Sequence, residues 1–291
     1  MRYHVDGSLV DADRATLPVD DPGVRFGDGV TEPLRATDGT PVAWDTHATR
    51  LFDACESLAL TPGVDAATLR SRVTATLDAN GLSEALVRVS VVRREDDGAG
   101  PDSSFASLQP RLDAESTVVV TAAPLSVDRS PVAVQTVRTR PIRPAAVPNA
   151  AATHNRLDAV RAHRELRRAA PPDASQAGEA LLLDDGDVVG GTASDLLFVA
   201  DDALRVPVPT GGDWPARTAT RSVVRDLAET EGIPVVAGPA TPADVRAADE
   251  AFLAEPTAGV RPVARLDGVQ VGGGPATTLL ARLYDERVGS T

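Results

Sequence analysis

In the first half of the chain, short apolar runs between turn residues are interspersed with longer segments whose apolar positions recur every three to four residues. The short runs predict strands near 2–5, 24–26, 30–36, 41–43, 86–92 and 117–121. The longer segments predict two helices, one beginning after an N-cap at Asp45 or Thr46 and one near 66–77. Gly, Asp, Ser and Pro are frequent over 94–109, which predicts a loop.

The second half mixes the two patterns again. A Pro-rich stretch over 141–148 precedes a predicted helix at about 155–168, and further helices are predicted at 220–231, after a Thr241 cap and at 276–287. Short apolar runs predict strands at 181–183, 188–189, 196–199, 234–236, 251–253 and 261–266. Because strands and helices do not alternate strictly, the pattern favours an α+β fold over a doubly wound sheet.

The composition around 122–131 is typical of a linker between domains. The sequence therefore predicts an N-terminal α/β domain over 1–122, a linker over 123–131 and a C-terminal α/β domain over 132–291. A length of 291 residues is sufficient for two domains of ordinary size, and a hydrophobic content of 42% can fill their cores.

The charge balance is strongly acidic, with 42 acidic residues against 29 basic residues and a net charge of -13. Every basic side chain is an arginine, and the chain contains no lysine. Such a chain is interpreted as halophilic, because concentrated salt screens its self-repulsion. The negative charge and the lack of a basic block argue against nucleic acid and membrane surfaces as partners and favour small molecules or proteins.

The single cysteine, Cys55, excludes an intramolecular disulfide and falls at an apolar position of the first predicted helix. The beginning of the chain lacks an apolar segment of signal length, and no apolar stretch approaches the length of a membrane span. These features predict a soluble, cytoplasmic protein.

Four local patterns follow one another along the chain, each weak alone and specific in this order. In chain order they are Phe26–Val30 (Phe-Gly-Asp-Gly-Val) with Glu32, Leu34 and Arg35; His47–Cys55; Thr153–Leu157 with Gly178–Asp184, Gly191–Asp195 and Thr220-Arg221; and Ala248–Leu253 with Val260–Val263.

Together these patterns resemble the class IV aminotransferase family, the pyridoxal 5'-phosphate (PLP) enzymes of fold type IV. The family includes branched-chain aminotransferase, D-amino acid aminotransferase and 4-amino-4-deoxychorismate lyase. The resemblance covers nearly the whole chain, and His47–Cys55 and Asn155–Leu157 match the lyase more closely than the aminotransferases. It implies two α/β domains with PLP in the cleft between them, usually in a homodimer.

The resemblance also assigns roles to individual positions. Arg50 matches the arginine that binds the cofactor phosphate, although a solvated helix face is the alternative for this residue. Ala219 and Thr220 match the phosphate loop at a helix N-terminus, where a simple N-cap is the alternative for Thr220. The candidate substrate residues are Arg93, His154 and Arg156.

Several departures from the family pattern affect the chemistry. The lysine that binds PLP covalently and moves the proton is replaced by Ala152, and the glutamate that pairs with the pyridinium nitrogen is replaced by Gly190. Thr218 stands at a glycine of the phosphate loop, and Pro256 stands at a Ser or Thr on the phosphate side. The doublet Arg93-Arg94 replaces an Arg-Gly turn of the substrate loop.

Three functions are compatible with this pattern. The first is a degenerate homologue that keeps the fold as a dimer, a regulatory partner or a binder of a small amino-containing ligand. The second is an active lyase or aminotransferase that uses noncovalently bound PLP and another proton carrier, for which His154 is a candidate, although a packed or solvent-facing histidine is the commoner case. The third is chemistry unrelated to PLP, for which the sequence offers no constellation and no metal site.

Overall fold

A computed structural model describes residues 1–94, 115–147, 152–169, 177–211, 214 and 216–289. The chain forms two compact units: unit 1 comprises Met1–Ser126 and Ala150–Asn155, and unit 2 comprises Val127–Asn149 and Arg156–Ser290. The predicted linker over 123–131 spans the end of unit 1 and the beginning of unit 2. Apart from Arg94, the predicted loop over 94–109 lies outside the described residues.

Unit 1 is built on one sheet in the strand order β2-β1-β6-β5-β3-β4. Its elements are β1 (Arg2–Val5), β2 (Ser8–Asp11), α1 (Pro22–Arg25), β3 (Gly29–Thr37), β4 (Thr40–Pro41), α2 (Trp44–Ser57), α3 (Ala66–Asn80), β5 (Ala85–Arg93) and β6 (Ser116–Pro124).

The core of unit 1 lies between this sheet and helices α2 and α3. Buried and partly buried residues alternate along β3, as expected for a strand with one face on a core. Leu34 of β3, Val87 of β5, Leu51 of α2 and Leu69 of α3 belong to one buried cluster. The long antiparallel pairing of β3, β5 and β6 therefore provides a rigid base for the residues that β3 carries.

Two local predictions in unit 1 are wrong. The strand expected at 24–26 is replaced by the one-turn helix α1, which Pro22 can begin because its fixed φ suits the first helical turn. Helix α2 starts earlier than expected: its N-cap is Ala43, in the left-handed region at φ 47°, and Asp45 and Thr46 lie within the helix.

Cys55 lies in the core of unit 1, as its position in the pattern predicts. Burial raises the pKa of its thiol to about 12, so the reactive thiolate is scarce at neutral pH. We expect a thiol reagent such as DTNB at pH 8 to label the native protein very slowly and the guanidinium-unfolded protein at once. Rapid stoichiometric labelling of the native protein would contradict this burial.

Unit 2 is built on a larger sheet in the order β12-β11-β10-β13-β14-β7-β8-β9, with β15 paired to β14. Its elements are β7 (Val132–Thr136), α4 (Leu157–Ala169), β8 (Glu179–Asp184), β9 (Asp187–Gly190), β10 (Asp195–Ala200), β11 (Ala203–Pro207), α5 (Ala219–Thr230), β12 (Val235–Gly238), α6 (Pro242–Arg246), β13 (Glu250–Glu255), β14 (Gly259–Leu266), β15 (Val269–Gln270) and α7 (Pro275–Gly289).

The sheet of unit 2 mixes parallel and antiparallel pairs. β7 pairs in parallel with both β14 and β8, whereas β13 is antiparallel to both β10 and β14. Helices α5 and α7 pack against each other, α5 also against β13 and α7 against β14. The prediction of an α+β fold is confirmed, because parallel and antiparallel pairing coexist with helices that do not alternate regularly with strands.

Acidic residues occupy two of the tight turns of unit 2. Asp201 and Asp202, at φ 52° and 55°, join β10 to β11 through a two-residue loop. Asp185 and Gly186, at φ 48° and 99°, join β8 to β9 in the same way. Two consecutive positive φ angles favour Asn, Asp and Gly, so these acidic residues have a conformational role. Among the described residues, no helix is both long and apolar enough to cross a bilayer.

Candidate functional site

Ala152, the position of the family lysine, belongs to a short extended segment beside β3 in unit 1. Its carbonyl accepts a hydrogen bond of 2.7 Å from the N–H of Thr31, and the next residue, Thr153, forms a bridge with Val30. The N–H of His154 donates to the carbonyl of Gly29 at 3.0 Å. This backbone ladder holds position 152 firmly, and the side chain that it presents is a half-buried methyl group.

His154 packs against the beginning of β3, where a Cβ on Gly29 would lie 3.0 Å from its Cδ2. His154 as a whole is exposed. Desolvation of the part of its ring that packs on β3 is the main cause that lowers its pKa, a hydrogen bond with the backbone of Val30 opposes this effect, and Arg88 acts in the same direction as desolvation. The imidazole is therefore neutral at pH 7 and able to accept a proton.

Arg50 belongs to a buried polar cluster on α2 and β3. Glu32 of β3 lies at the centre: its Oε1 accepts a hydrogen bond of 3.2 Å from Nε of Arg50 and is 2.7 Å from Nδ1 of His47. Glu32 and His47 are almost completely buried, whereas Arg50 keeps partial exposure. The cluster orients the guanidinium of Arg50 and offsets part of its charge. The sequence analysis identified Arg50 and missed its two partners, although Glu32 lies within the first motif and His47 begins the second.

Arg93, a candidate substrate residue, is tied into unit 1. Its side chain is 1% exposed, and its guanidinium donates to Asp28 at 2.7 Å and to the carbonyls of Leu58 at 2.8 Å and Ala59 at 3.3 Å. These contacts link the end of β5 to the loops after α1 and α2. Arg93 therefore has a structural role in unit 1.

Gly190 ends β9 in unit 2 with φ 136°, a conformation that L side chains rarely adopt. A Cβ at this position would lie 3.0 Å from the carbonyl oxygen of Ser194 and 3.3 Å from Cδ of Arg217. The position of the family glutamate thus offers little room for a side chain, and Arg217 lies directly beside it.

The loop after Gly190 is organised by Glu179 of β8. This buried carboxylate accepts hydrogen bonds from the N–H of Ala180 at 2.8 Å, from the N–H and hydroxyl of Thr192 at 3.0 and 2.7 Å, and from the hydroxyl of Ser194 at 2.9 Å. Arg156, a candidate substrate residue, also contacts this loop by donating to the carbonyl of Thr192. Glu179 and Arg156 together fix the backbone around Gly190.

The N-terminus of α5 is held by Asp195, at the start of β10. Its carboxylate accepts from the N–H of Arg217 at 2.9 Å, from the N–H and hydroxyl of Thr218 at 2.8 Å each, and from Nη1 of Arg221 at 3.3 Å. Thr218 is the N-cap, since its hydroxyl accepts from the N–H of Arg221. The alternative reading of Thr220 as the N-cap is therefore wrong: Ala219 begins the helix and Thr220 follows it.

Thr220 donates its hydroxyl hydrogen to the carbonyl of Glu255 at 3.2 Å, at the end of β13. The next residue, Pro256, has no N–H to offer a ligand. Burial raises the pKa of the Glu255 carboxyl, Glu179 and Asp128 act in the same direction, and Arg261 opposes them. Oε1 of Glu255 is buried and accepts no hydrogen bond from a described residue. The carboxyl group of Glu255 thus belongs to the residue that binds Thr220, a residue expected to contact phosphate.

The sequence analysis missed Arg217, which immediately precedes the cap of α5. Its Nε is buried and has no hydrogen-bond partner among the described residues. The signal was its location next to the phosphate-loop motif, but nothing in the sequence indicated that its side chain would reach Gly190.

The eight candidate residues fall into two sets. Ala152, His154, Arg50 and Arg93 belong to unit 1, and Gly190, Arg156, Ala219 and Thr220 belong to unit 2. Across the part of the chain that the structure describes, no group of three or more His, Cys, Asp or Glu side chains is arranged to hold a metal ion.

Comparison with known proteins relates this arrangement to a family. A family model described as amino-transferase class IV matches residues 29–266. A Methanocaldococcus jannaschii protein provisionally named as a branched-chain-amino-acid aminotransferase is 32% identical over 258 residues, which are 87% of this chain and 83% of that protein.

Two solved structures extend the likeness to the fold. The branched-chain aminotransferase of Thermoproteus uzoniensis, solved with norvaline, superimposes with a TM-score of 0.87 at 26% identity over 99% of this chain and 95% of that one. The 4-amino-4-deoxychorismate lyase of Pseudomonas aeruginosa superimposes with a TM-score of 0.80 at 27% identity over 98% of both chains. The similar proteins therefore include both aminotransferases and a lyase.

Proposed function

Because the chain belongs to the class IV amino-transferase family, we propose that it is a degenerate homologue that keeps the fold without ordinary PLP catalysis. The observation that carries this proposal is Ala152 at the lysine position of a chain that contains no lysine. PLP acts as an electron sink when an amine is joined to its aldehyde, and the family lysine supplies both that link and proton transfer. A methyl group held by the backbone of Thr31 does neither.

The residues at the pyridine position support the same proposal. PLP withdraws electrons best when its ring nitrogen is protonated, and a carboxylate stabilises that proton. Gly190 has no carboxylate, and the neighbouring side chain is the guanidinium of Arg217, which only donates hydrogen bonds. A hydrogen-bond donor beside the pyridine nitrogen favours the unprotonated form of that nitrogen. The residues at positions 152, 190 and 217 therefore do not fit the aldehyde and pyridine nitrogen of PLP.

The residues that the family resemblance assigns to the phosphate group of PLP depart less from the family pattern than Ala152 and Gly190 do. Arg50 and the N-terminus of α5 are both present, and either suits an anion. However, Arg50 is bound by Glu32, the Thr220 hydroxyl is bound to Glu255, and Glu255 adds a carboxyl group of its own. These contacts favour a weaker hold on a phosphate dianion than an unobstructed loop would give.

A second candidate is an active 4-amino-4-deoxychorismate lyase or amino-acid aminotransferase that uses noncovalently bound PLP. The observation in its favour is His154, whose lowered pKa leaves a neutral imidazole two residues from Ala152. In this alternative the histidine carries the proton that the lysine carries in the family. This alternative requires that the contacts to the phosphate group of PLP hold the cofactor without a covalent link.

Absorbance and turnover distinguish the two candidates. The degenerate homologue mixed with PLP shows no visible band of covalently bound cofactor and forms no 4-aminobenzoate or pyruvate from 4-amino-4-deoxychorismate. Ala152→Lys should produce the band, whereas the control Val160→Lys, an exposed position on α4, should not. Turnover by the unmodified chain, or its transamination of branched-chain or D-amino acids, would overturn the proposal.

Restoring the pyridine partner requires more than one change. Gly190→Glu alone should fail, because a Cβ there meets Arg217 and the φ of 136° disfavours a side chain. We expect the triple variant Ala152→Lys/Gly190→Glu/Arg217→Ser to bind PLP more tightly than Ala152→Lys/Gly190→Glu. Equal affinity in the two variants would show that Arg217 does not obstruct position 190.

Within this proposal the chain is a cytoplasmic homodimer that binds a small amino-containing ligand or a protein partner. The assignment of a homodimer follows the family resemblance, and the net charge of -13 disfavours nucleic acid. Analytical ultracentrifugation in concentrated KCl tests the assembly, and a monomer at micromolar concentration would contradict it.

A further inference from the structure

A cavity of unit 2 is lined mainly by arginine side chains. It lies between helix α4 and the segment that follows β7, and it has a volume of about 510 Å³. This volume falls in the range of sites for small molecules, about 300–1,000 Å³. The lining residues include none of the eight candidate residues of the class IV pattern; they are Arg138, Thr139, Arg161, Arg164, Glu165 and Arg168.

Three of these arginines form a row along α4. Arg161, Arg164 and Arg168 are spaced three and four residues apart, so they lie on one face of the helix, where like charges are unfavourable. All three are exposed, and none of them forms an ion pair with a carboxylate of the described chain. Arg168 falls in the last turn, where the helix dipole favours a positive charge, but Arg161 and Arg164 do not. The stability of α4 therefore does not account for the row.

The carboxylate in the lining, that of Glu165, is bound by the segment after β7. Its Oε1 accepts from the N–H of Arg138 at 2.7 Å, and its Oε2 accepts from the N–H and hydroxyl of Thr139 at 3.0 Å each. Desolvation opposes the ionisation of Glu165, but these hydrogen bonds outweigh it and lower the pKa of the carboxyl group. Nε of Arg138 lies 3.6 Å from Oε1 of the same carboxylate. Glu165 thus offsets one of the four positive charges of the lining.

The remaining excess of positive charge contrasts with the net charge of -13 of the whole chain. Adaptation to concentrated salt accounts for a surface rich in carboxylates and does not account for a group of four arginines. Each guanidinium has five N–H donors and no acceptor, so the group offers many more donors than Glu165 can accept. An oxyanion from outside the chain would satisfy these donors.

We propose that this cavity binds a chain of two or more linked phosphate groups, either free or as part of a nucleotide. The excess of three positive charges in the lining suits an anion with several negative charges better than a monocarboxylate or a single phosphate. Guanidinium groups match phosphate oxygens with two parallel hydrogen bonds. The described lining includes no aromatic residue on which a base could stack, so the phosphates carry the recognition.

This inference goes beyond the proposed function and concerns residues that take no part in it, so its test uses no PLP. Calorimetric titration at a fixed, moderate KCl concentration compares inorganic triphosphate, ATP, adenosine and inorganic phosphate. Triphosphate should bind, adenosine should not, and inorganic phosphate should bind at least about tenfold more weakly than triphosphate. ATP that binds no more tightly than triphosphate identifies the phosphate chain alone as the ligand, whereas tighter binding of ATP identifies a nucleotide.

Two arginine variants on α4 locate the binding. Arg164→Gln should weaken triphosphate binding by about tenfold, because it removes a charged donor from the cavity. Arg167→Gln is the matched control: it removes an exposed arginine of the same helix that does not line the cavity, and it should change the affinity by no more than about twofold. Both side chains are exposed, so both variants should unfold at the denaturant midpoint of the parent chain.

A rise in the KCl concentration should weaken triphosphate binding, since the charges involved are exposed to solvent. Absence of triphosphate binding, equal binding of inorganic phosphate, or equal losses in Arg164→Gln and Arg167→Gln would each overturn the assignment. Tighter binding of a polyglutamate peptide than of triphosphate would also overturn it, in favour of an acidic protein partner.

Discussion

Replacement of Asp195 with alanine is expected to lower the free energy of unfolding by about 3–5 kcal/mol, the usual effect of removing one partner of a buried ion pair. Asp195 is 2% exposed, and its carboxylate joins the cap of α5 to the buried Arg221 at 3.3 Å. Without it, the guanidinium of Arg221 and the N–H of Thr218 lose this acceptor inside unit 2, and the hydroxyl of Thr218 keeps only the contact of 3.3 Å with the carbonyl of Ala254.

Denaturation with guanidinium chloride at a constant KCl concentration measures this effect. Asp226→Ala is the matched control, because Asp226 is an exposed aspartate on the same helix and its loss should change stability by no more than about 0.5 kcal/mol. Asp195→Asn retains one acceptor oxygen and should fall between the two. If Asp195→Ala is as stable as Asp226→Ala, the network does not hold the helix N-terminus.

Replacement of Glu32 with leucine should destabilise unit 1 by about 2–3 kcal/mol, because a buried hydrogen-bonded charge is removed and its partners remain. Glu32 is 4% exposed and contacts both His47 at 2.7 Å and Arg50 at 3.2 Å. The expected loss is smaller than at Asp195, since water can still reach part of the Arg50 guanidinium.

The control for this experiment is Glu56→Leu, which removes an exposed glutamate from α2 and should cost no more than about 0.5 kcal/mol. Glu32→Gln keeps an acceptor and should lose less than Glu32→Leu. Equal unfolding midpoints for Glu32→Leu and Glu56→Leu would mean that the cluster around Arg50 contributes nothing to stability.

Features that depend on residues close in sequence were predicted more accurately than features that depend on residues distant in sequence. The strands predicted at 30–36 and near 41–43 are joined by Asp38-Gly39, a two-residue hairpin loop with positive φ at both positions, which is the geometry that Asp-Gly favours. Such turns depend on neighbouring residues alone. β7, directly after the predicted linker, was missed because its hydrogen-bond partners are β8 and β14, which lie far along the chain.

The same distinction applies to the candidate site. Thr218 and Thr220 are both threonines close to a predicted helix start, and their local sequence does not decide which one caps it. Asp195 decides it by accepting hydrogen bonds from the backbone and hydroxyl of Thr218. Arg93 illustrates the converse case. It adjoins the substrate loop that the family resemblance implies, but its side chain is turned inward because Asp28 and two carbonyls accept its hydrogen bonds.

The sequence by itself determined that this member of the family has no lysine at position 152 or elsewhere, since the presence of an amine is a covalent property that no folding can change. Only the tertiary structure decided what stands beside the missing glutamate. Gly190 and Arg217 are brought together by the loop that Glu179 organises and the helix start that Asp195 holds. Because that contact joins segments distant in sequence, the exchange of an acceptor for a donor could not be inferred before the fold was known.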